Sequence, residues 1–183
     1  MLLSAGSDLG AFGKVNPPLR RKEDCEALRE AFARGTIDIL VSDHAPHTIE
    51  EKSESFQLAP SGIPGVETNV PVMLSLLKRQ FVTLERFVEA TSTLPAKIFG
   101  LNKGSIAVGR DADFIVVDLK ETCELRADML HSKCAWTPFE GREVIFPRAV
   151  LLGGKTVVRD GCLMNERLGR LVGDSQALGR ALP

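Results

Sequence analysis

Aromatic residues are scarce in this sequence, at 5% of the chain with one Trp and no Tyr. Proteins that bind single-stranded nucleic acid stack bases on aromatic side chains, so the composition argues against that class of function. No apolar run approaches the roughly 20 residues that a membrane-spanning helix needs. The first residues also lack a charged region followed by a long apolar stretch, so we expect a cytoplasmic protein without a membrane partner.

The chain also lacks a large net charge, because 23 basic and 24 acidic residues are interspersed along it. Such a balance creates no long-range field that would attract nucleic acid or an anionic membrane. The four cysteines lie far apart with no Cys-x-x-Cys pair, which argues against a zinc finger and favours reduced thiols. Chemistry on a small molecule is the better expectation.

A helix followed by a buried strand is indicated near the start of the chain. Residues 22–34 carry apolar side chains at helical spacing, and Gly35 follows them as a stop signal. Residues 37–41 read Ile-Asp-Ile-Leu-Val, a β-branched run typical of a strand buried on both faces, and the polar Ser42-Asp43-His44 follows it. This layout predicts an α/β protein containing the C-terminal part of a (β/α)8 barrel, in which catalytic groups lie at the C-terminal ends of strands.

The pattern changes along the rest of the chain. Residues 48–64 are polar and predict a long, mobile loop beside the active site. Further helices are predicted over residues 68–79, over residues 83–91 and from Thr93 to Gly100. Strands are predicted over residues 112–118 and, around Gly153-Gly154, over residues 149–158.

These elements predict three parts with a boundary near Lys103. The part of a barrel occupies residues 1–103, a β-rich accessory domain occupies residues 104–168, and a loosely ordered tail occupies residues 169–183.

The densest group of reactive side chains lies in what we call the second segment, residues 42–47, Ser-Asp-His-Ala-Pro-His. A carboxylate at a strand end with two imidazoles nearby can act as metal ligand, base and anion partner. The same residues would also suit an ordinary Pro-containing turn in which Asp43 caps the loop, and spacing alone leaves both readings open.

Two further segments have the residues of a binding site. The first segment, residues 14–20, holds Asn16 and Arg20 on a loop stiffened by two prolines, and Arg is suited to a carboxylate. The third segment, residues 60–68, has glycines that allow a backbone to approach a ligand closely. Taken alone, the first segment favours an ordinary Pro-Pro connector with a solvated Arg, and a plain loop-to-helix entry accounts for the third at least as well as a binding site does.

Taken together, the three segments resemble the dihydroorotase family. The patterns are Val-Asn-Pro-Pro-Leu-Arg, then Ser-Asp-His-Ala-Pro-His, then Pro-x-Gly-x-x-Gly-x-Glu-Thr. A late segment, residues 132–141, is similar to that family as well, and residues 104–118 resemble the accessory domain of amidohydrolases. The resemblance covers nearly the whole chain.

The resemblance implies reversible hydrolysis of dihydroorotate to carbamoyl aspartate in pyrimidine synthesis, with zinc as cofactor. It implies that Asp43 ligates zinc and acts as general base, while Asn16 and His47 contact the substrate. Arg20 would join them at the substrate carboxylate, and Ser61 with Gly62 would offer backbone contacts. His44 is expected to be structural.

The resemblance also implies metal ligands that this sequence lacks, namely a His-x-His pair, a bridging lysine or aspartate and two further histidines. The histidines present are His44, His47 and His131. A catalytic zinc usually has three protein ligands, so we expect an incomplete dihydroorotase that is inactive alone. Its exposed strand edges would need another segment or a self-associated copy to cover them.

Two alternatives stay open at this point. The chain could be a non-catalytic structural partner of a transcarbamoylase, although such a scaffold has no physical need of Asn16, Asp43 and His47. It could also be an allantoinase or a hydantoinase, in which a similar Asp-His-x-Pro segment occurs.

Overall fold

The computed structural model describes residues 3–164 and 168–169, and its contacts define two compact units. The first combines Met1–Phe87 with Leu119–Phe146, and the second combines Val88–Asp118 with Pro147–Pro183, within the described residues. Apart from Gly169, the predicted tail lies outside the described residues. The content is α/β, as the sequence predicts.

Helix α1, Lys22–Ala33, confirms the first predicted helix. At its start, the Asp24 carboxylate accepts a hydrogen bond from the Arg21 amide at 3.0 Å. Its Phe32 is buried, and Gly35 follows with a φ of 80°, a conformation that ends many helices.

The core of the first unit lies between a helix and a short hairpin. Helix α3, Asn69–Lys78, packs against strand β3, Glu143–Val144, which pairs with strand β2, Cys123–Glu124. Val72, Leu125 and Val144 form the buried cluster, and Leu125 and Val144 are fully buried. The same unit contains helix α2, Ile49–Lys52, and 3-10 helices at Gly10–Gly13 and Ala127–Met129.

The strand predicted over residues 37–41 does not form among the described residues. A strand exists only where neighbouring backbone completes its hydrogen bonds, and the nearest pairing is one isolated parallel bridge between His44 and Ile63. The side chains are not buried on both faces either, since Val41 is 67% exposed.

The helical region after residue 83 is organised differently from the prediction. Helix α4, Leu84–Val88, continues through a π-helical turn, Glu89–Thr93, into helix α5, Leu94–Ile98, so no break separates the two predicted helices. The Thr93 hydroxyl does not cap a helix but donates to the Gly104 carbonyl oxygen at 2.8 Å. Gly100 follows with a φ of 64°.

The second unit contains a four-stranded antiparallel sheet with the order β1-β4-β5-β6. Its strands are β1, Phe114–Val116; β4, Ala149–Leu152; β5, Lys155–Arg159; and β6, Cys162–Leu163. Gly153 and Gly154, both with positive φ, turn the chain between β4 and β5, so the strand residues predicted over 149–158 form two strands.

The units do not divide the chain where the predicted domains do. Lys103 lies inside the second unit, while Leu119–Phe146, which the sequence assigns to the accessory domain, groups with the first unit. The predicted boundaries stay predictions for the whole protein.

In the part of the chain that is described, no helix combines the length and the apolar composition needed to cross a membrane.

Candidate functional site

The first, second and third segments meet at one open cleft in the first unit, although they are far apart in sequence. The cleft has a volume of about 320 Å³. Its lining residues are Val15, Asn16, Pro17, Ser42, Asp43, Ala45, Ser61, Gly62 and Ile63. Four predicted site residues are therefore brought together: Asn16, Asp43, Ser61 and Gly62.

Hydrogen bonds join the second segment to the third. The Ala45 amide donates to the Ile63 carbonyl oxygen at 3.0 Å. The Gly65 and Val66 amides donate to Nδ1 of His44 at 3.0 and 3.3 Å. Because Nδ1 accepts these bonds, the His44 ring joins the second segment to the third; that His44 is structural stays a prediction.

The glycines of the third segment allow it to touch the second segment. A Cβ atom on Gly62 would lie 2.4 Å from the Ala45 carbonyl oxygen, and the Gly62 φ of 146° also disfavours other residues. A Cβ atom on Gly65 would lie 2.7 Å from the Ser42 carbonyl oxygen. The close approach predicted for these glycines is therefore made to the neighbouring segment.

The first segment is joined to the third by the backbone. The Gly62 amide donates to the Lys14 carbonyl oxygen at 3.0 Å. This bond occupies the Gly62 N–H, so any contact of Gly62 with a ligand would use its carbonyl oxygen or its lack of a side chain. Asn16 follows two residues later, is exposed at the cleft and precedes a cis peptide bond to Pro17.

Asp43 lies in the cleft with a left-handed backbone, at a φ of 43°. Asp tolerates this conformation better than most residues, and such conformations are concentrated at functional sites. Its side chain is exposed, so the carboxylate is accessible to a ligand.

His47 lies beside the cleft, with its ring against Gly62. Its Nδ1 is 3.3 Å from Oε2 of Glu51, the oxygen that also accepts a hydrogen bond from the Thr48 amide at 2.9 Å. That second bond belongs to a reciprocal cap at the start of α2. Glu51 therefore holds one ring nitrogen, and Nε2 is the nitrogen left for a ligand.

Arg20 is not among the residues that line the cleft. Its side chain is exposed, and its carbonyl oxygen accepts a hydrogen bond from the Ala5 amide at 2.7 Å. A role of Arg20 at a substrate carboxylate stays a prediction.

Lys52 is the residue of this region that sequence reasoning missed. It is fully buried at the end of α2, and its Nζ donates to the carbonyl oxygens of Lys14 and Pro60 at 3.1 and 2.9 Å. Burial, with a smaller effect of the Lys14 charge, lowers the pKa of Lys52. In the sequence it stands in a polar run that is typical of a solvated loop, and only the Thr48-x-x-Glu51 capping pattern could have predicted the short helix.

The late segment supports the same region. The Trp136 indole N–H donates to the His47 carbonyl oxygen at 2.7 Å, and the indole ring packs edge-on against Phe12 at 5.0 Å. Farther along the third segment, the Glu67 carboxylate accepts a hydrogen bond from the His131 amide at 2.8 Å and also contacts the His131 ring.

A complete metal site is absent from the described residues, where no group of three His, Cys, Asp or Glu side chains could hold an ion. Asp43 is the available carboxylate, while Nδ1 of His44 and Nδ1 of His47 already have partners. These residues therefore do not fit a catalytic zinc by themselves, which usually takes three protein ligands.

Comparison with known proteins identifies a family model, described as the amidohydrolase family, that matches residues 15–157. The matched range contains the second segment, the third segment, the late segment and all of the first segment except Lys14.

Curated relatives include two archaeal dihydroorotases. The Halobacterium salinarum protein is 50% identical over 151 residues, which is 82% of this chain and 36% of that protein. The Thermoplasma volcanium protein is 44% identical over 172 residues, which is 94% of this chain and 41% of that protein. The chain thus spans well under half the length of these relatives.

Solved structures of hydantoinases are also similar. The L-hydantoinase (dihydropyrimidinase) from Arthrobacter aurescens has a TM-score of 0.86 and 33% identity, covering 90% of this chain and 38% of that chain. The D-hydantoinase (dihydropyrimidinase) from a Thermus species has a TM-score of 0.81 and 37% identity, covering 85% and 36%.

Proposed function

Because this chain belongs to the amidohydrolase family, we propose that it forms the substrate side of a dihydroorotase active site. The enzyme would hydrolyse the ring amide of dihydroorotate to carbamoyl aspartate and catalyse the reverse reaction. One observation carries this proposal: the three segments that resemble the dihydroorotase pattern line a single cleft. Relatives named dihydroorotase at 44–50% identity support it.

The cleft's polar groups suit a cyclic amide that bears a carboxylate. Asn16 offers both an amide donor and an amide acceptor, and Ser61 lies exposed across the cleft. His47, held at Nδ1 by Glu51, would direct Nε2 to the substrate. Arg20 would have to turn its side chain toward the cleft to pair with the carboxylate, which a long flexible side chain allows.

Asp43 is the proposed general base. Hydrolysis of a ring amide needs a group that accepts a proton and returns it to the leaving nitrogen. Asp43 is an accessible carboxylate in the cleft, with neighbouring backbone fixed by the bonds between the second and third segments.

A metal ion, which the family resemblance implies to be zinc, would lower the pKa of water and polarise the amide carbonyl. We propose Asp43 as one ligand. The remaining ligands would come from outside the described residues, which lack a complete donor set.

A (β/α)8 barrel is the proposed setting for this cleft. Residues 40 and 41 line a neighbouring apolar cleft of about 270 Å³ together with Leu3, Leu19 and Met73. Exposed apolar side chains on an extended segment are costly in water, and adjacent barrel strands would cover them and complete its hydrogen bonds. The predicted domains, residues 1–103, 104–168 and the tail 169–183, are proposed on the same basis.

A hydantoinase or allantoinase activity is the second candidate, favoured by the likeness to the two hydantoinase structures. All of these reactions open a cyclic amide, so the cleft alone suits each of them. The dihydroorotase relatives have the higher identity to this chain.

The test is turnover by protein expressed from its complete reading frame, with any sequence upstream of Met1 included. We expect hydrolysis of dihydroorotate to exceed that of hydantoin and allantoin, and we expect Asp43→Asn to lower kcat at least about a hundredfold. Asp160→Asn is a matched control, since Asp160 has a similar φ of 49° but lies in the second unit. Preferred turnover of hydantoin, or full activity of Asp43→Asn, would contradict the proposal.

A structural role would give a different result. If the purified protein turned over none of these substrates but co-purified with a transcarbamoylase, the scaffold alternative would replace the enzymatic one.

A further inference from the structure

Lys52 places a buried ammonium group next to the candidate site. Its side chain is fully buried, and no carboxylate pairs with it among the described residues. Burying an unpaired charge is costly, so a residue of this kind needs strong compensating contacts. The Nζ of Lys52 donates to two carbonyl oxygens, at 2.9 and 3.1 Å, and it lies 5.9 Å from the centroid of the Trp136 ring.

The two carbonyl groups belong to different segments of the cleft. The Lys14 carbonyl is in the first segment, two residues before Asn16, and the Pro60 carbonyl is in the third segment, directly before Ser61. The Lys14 oxygen also accepts the Gly62 amide at 3.0 Å. The ammonium therefore lies where the backbones of the first and third segments converge.

We propose that Lys52 is a positioning residue that holds the first and third segments at the spacing needed for Asn16 and Ser61 to contact one substrate. Lys52 itself does not line the cleft. The inference rests on the proposed function for the identity of the substrate, and on the hydrogen bonds of Lys52 for the geometry.

The bonds around the cleft predict which kinetic constant depends on Lys52. The second and third segments are bonded directly, through Ala45 and Ile63 and through His44 and Gly65, so Asp43 keeps its support without Lys52. The first segment is joined to the third by the Gly62 amide and by Lys52. Loss of the ammonium should therefore displace Asn16 and weaken substrate binding more than the proton transfer.

The experiment compares variants of the protein expressed from its complete reading frame. Lys52→Met has a similar length but no donor, and we expect KM for dihydroorotate to rise about tenfold while kcat changes less than about threefold. Lys52→Arg keeps a cation with several N–H donors and should restore part of the loss. Lys22→Met, at an exposed position on α1, is the matched control and should leave KM unchanged.

Unchanged KM in folded Lys52→Met would overturn the inference, and so would a fall in kcat or in bound metal at constant KM. If Lys52→Met does not fold, Lys52→Gln takes its place, because its side chain is one atom shorter and its amide falls short of the ammonium position, so the bonds to the two carbonyl oxygens are weakened or lost. A raised KM would then support the positioning role, and wild-type KM would overturn it.

A readout without turnover separates this inference from the proposed function. Hydrogen exchange of a peptide spanning residues 57–65 should be faster in Lys52→Met than in wild type or Lys22→Met, because the Gly62 amide loses its fixed acceptor. If wild type does not hydrolyse dihydroorotate, the proposed function fails, while the exchange result still decides whether Lys52 holds the two segments. Equal exchange in all three proteins would overturn the role of Lys52.

Discussion

At the scale of single residues, the cleft depends on backbone conformations that few residue types tolerate. Asp43 has a φ of 43° and Gly62 a φ of 146°. Both lie where two segments touch, and the space beside Gly62 is filled by Ala45 and the His47 ring. The identity of these residues is therefore set by steric fit as well as by chemistry.

Gly62→Ala should destabilise the first unit by about 2 to 4 kcal/mol, through clash with the Ala45 carbonyl and through backbone strain. The measurement is chemical unfolding followed by circular dichroism. Gly35→Ala is the matched control, since Gly35 has a φ of 80° but nothing within 4 Å of the added Cβ, and it should cost about 1 kcal/mol. Equal losses in both variants would show that the contact with Ala45 is unimportant.

At the scale of elements, buried or half-buried cations hold loops in both units. In the first unit, the Arg86 guanidinium on α4 donates to the carbonyl oxygens of Phe32 and Asp38 at 2.8 and 3.1 Å, so it fixes the backbone that follows α1. In the second unit, Lys103 after α5 pairs with Asp111 and Asp113 ahead of β1. Asp113 also accepts the Gly153 amide at 2.7 Å, which ties this loop to the β4–β5 turn.

Stability of the second unit should fall at alkaline pH. The hydrogen bond to Asp113 is the main cause that raises the pKa of Lys103 above its ordinary value of 10.5, and Asp111 adds to it. A raised folded-state pKa gives stability that is present below the unfolded-state pKa and is lost as pH rises through the folded-state pKa.

The measurement is the difference in Tm between wild type and Lys103→Met from about pH 9 to about pH 12, which should shrink as pH rises. Lys155→Met, at an exposed position on β5, should show no such pH-dependent difference. A constant Tm difference for Lys103→Met across this range would contradict the prediction.

At the scale of the whole molecule, the chain spans 36% and 41% of the two dihydroorotases compared with it. The cleft holds the proposed base, Asp43, and the proposed substrate contact Asn16 within one unit, yet the described residues do not hold a complete set of metal ligands. We therefore expect catalysis to need metal ligands beyond the described residues.

The 183-residue chain expressed alone should bind no stoichiometric zinc and show no measurable hydrolysis of dihydroorotate. Protein from the complete reading frame should bind zinc and hydrolyse dihydroorotate, as determined by metal analysis and by turnover under the same conditions. If the short chain were as active as the longer protein, its own residues would be sufficient for zinc binding and catalysis.

Local sequence patterns predicted the elements that depend on local interactions. Helix α1, helix α3 and the strand residues on either side of Gly153 and Gly154 follow from apolar spacing, β-branched runs and glycines, all of which act within a few residues. The three segments were recognisable for the same reason, since each is a short pattern, and Asn16, Asp43, Ser61 and Gly62 do meet in one cleft.

Tertiary structure decided whatever depends on a distant partner. Residues 37–41 have the composition of a strand but no ladder among the described residues, because a strand needs neighbouring backbone. The polar sequence around Lys52 is typical of a solvated loop, yet Lys52 is buried, because the carbonyl oxygens of Lys14 and Pro60 accept hydrogen bonds from its Nζ. The sequence predicted that the Gly62 backbone would contact a ligand, but its amide donates to the Lys14 carbonyl oxygen instead. The sequence by itself predicted four residues that line the candidate cleft, while long-range hydrogen bonds and burial decided which of their atoms remain for a ligand.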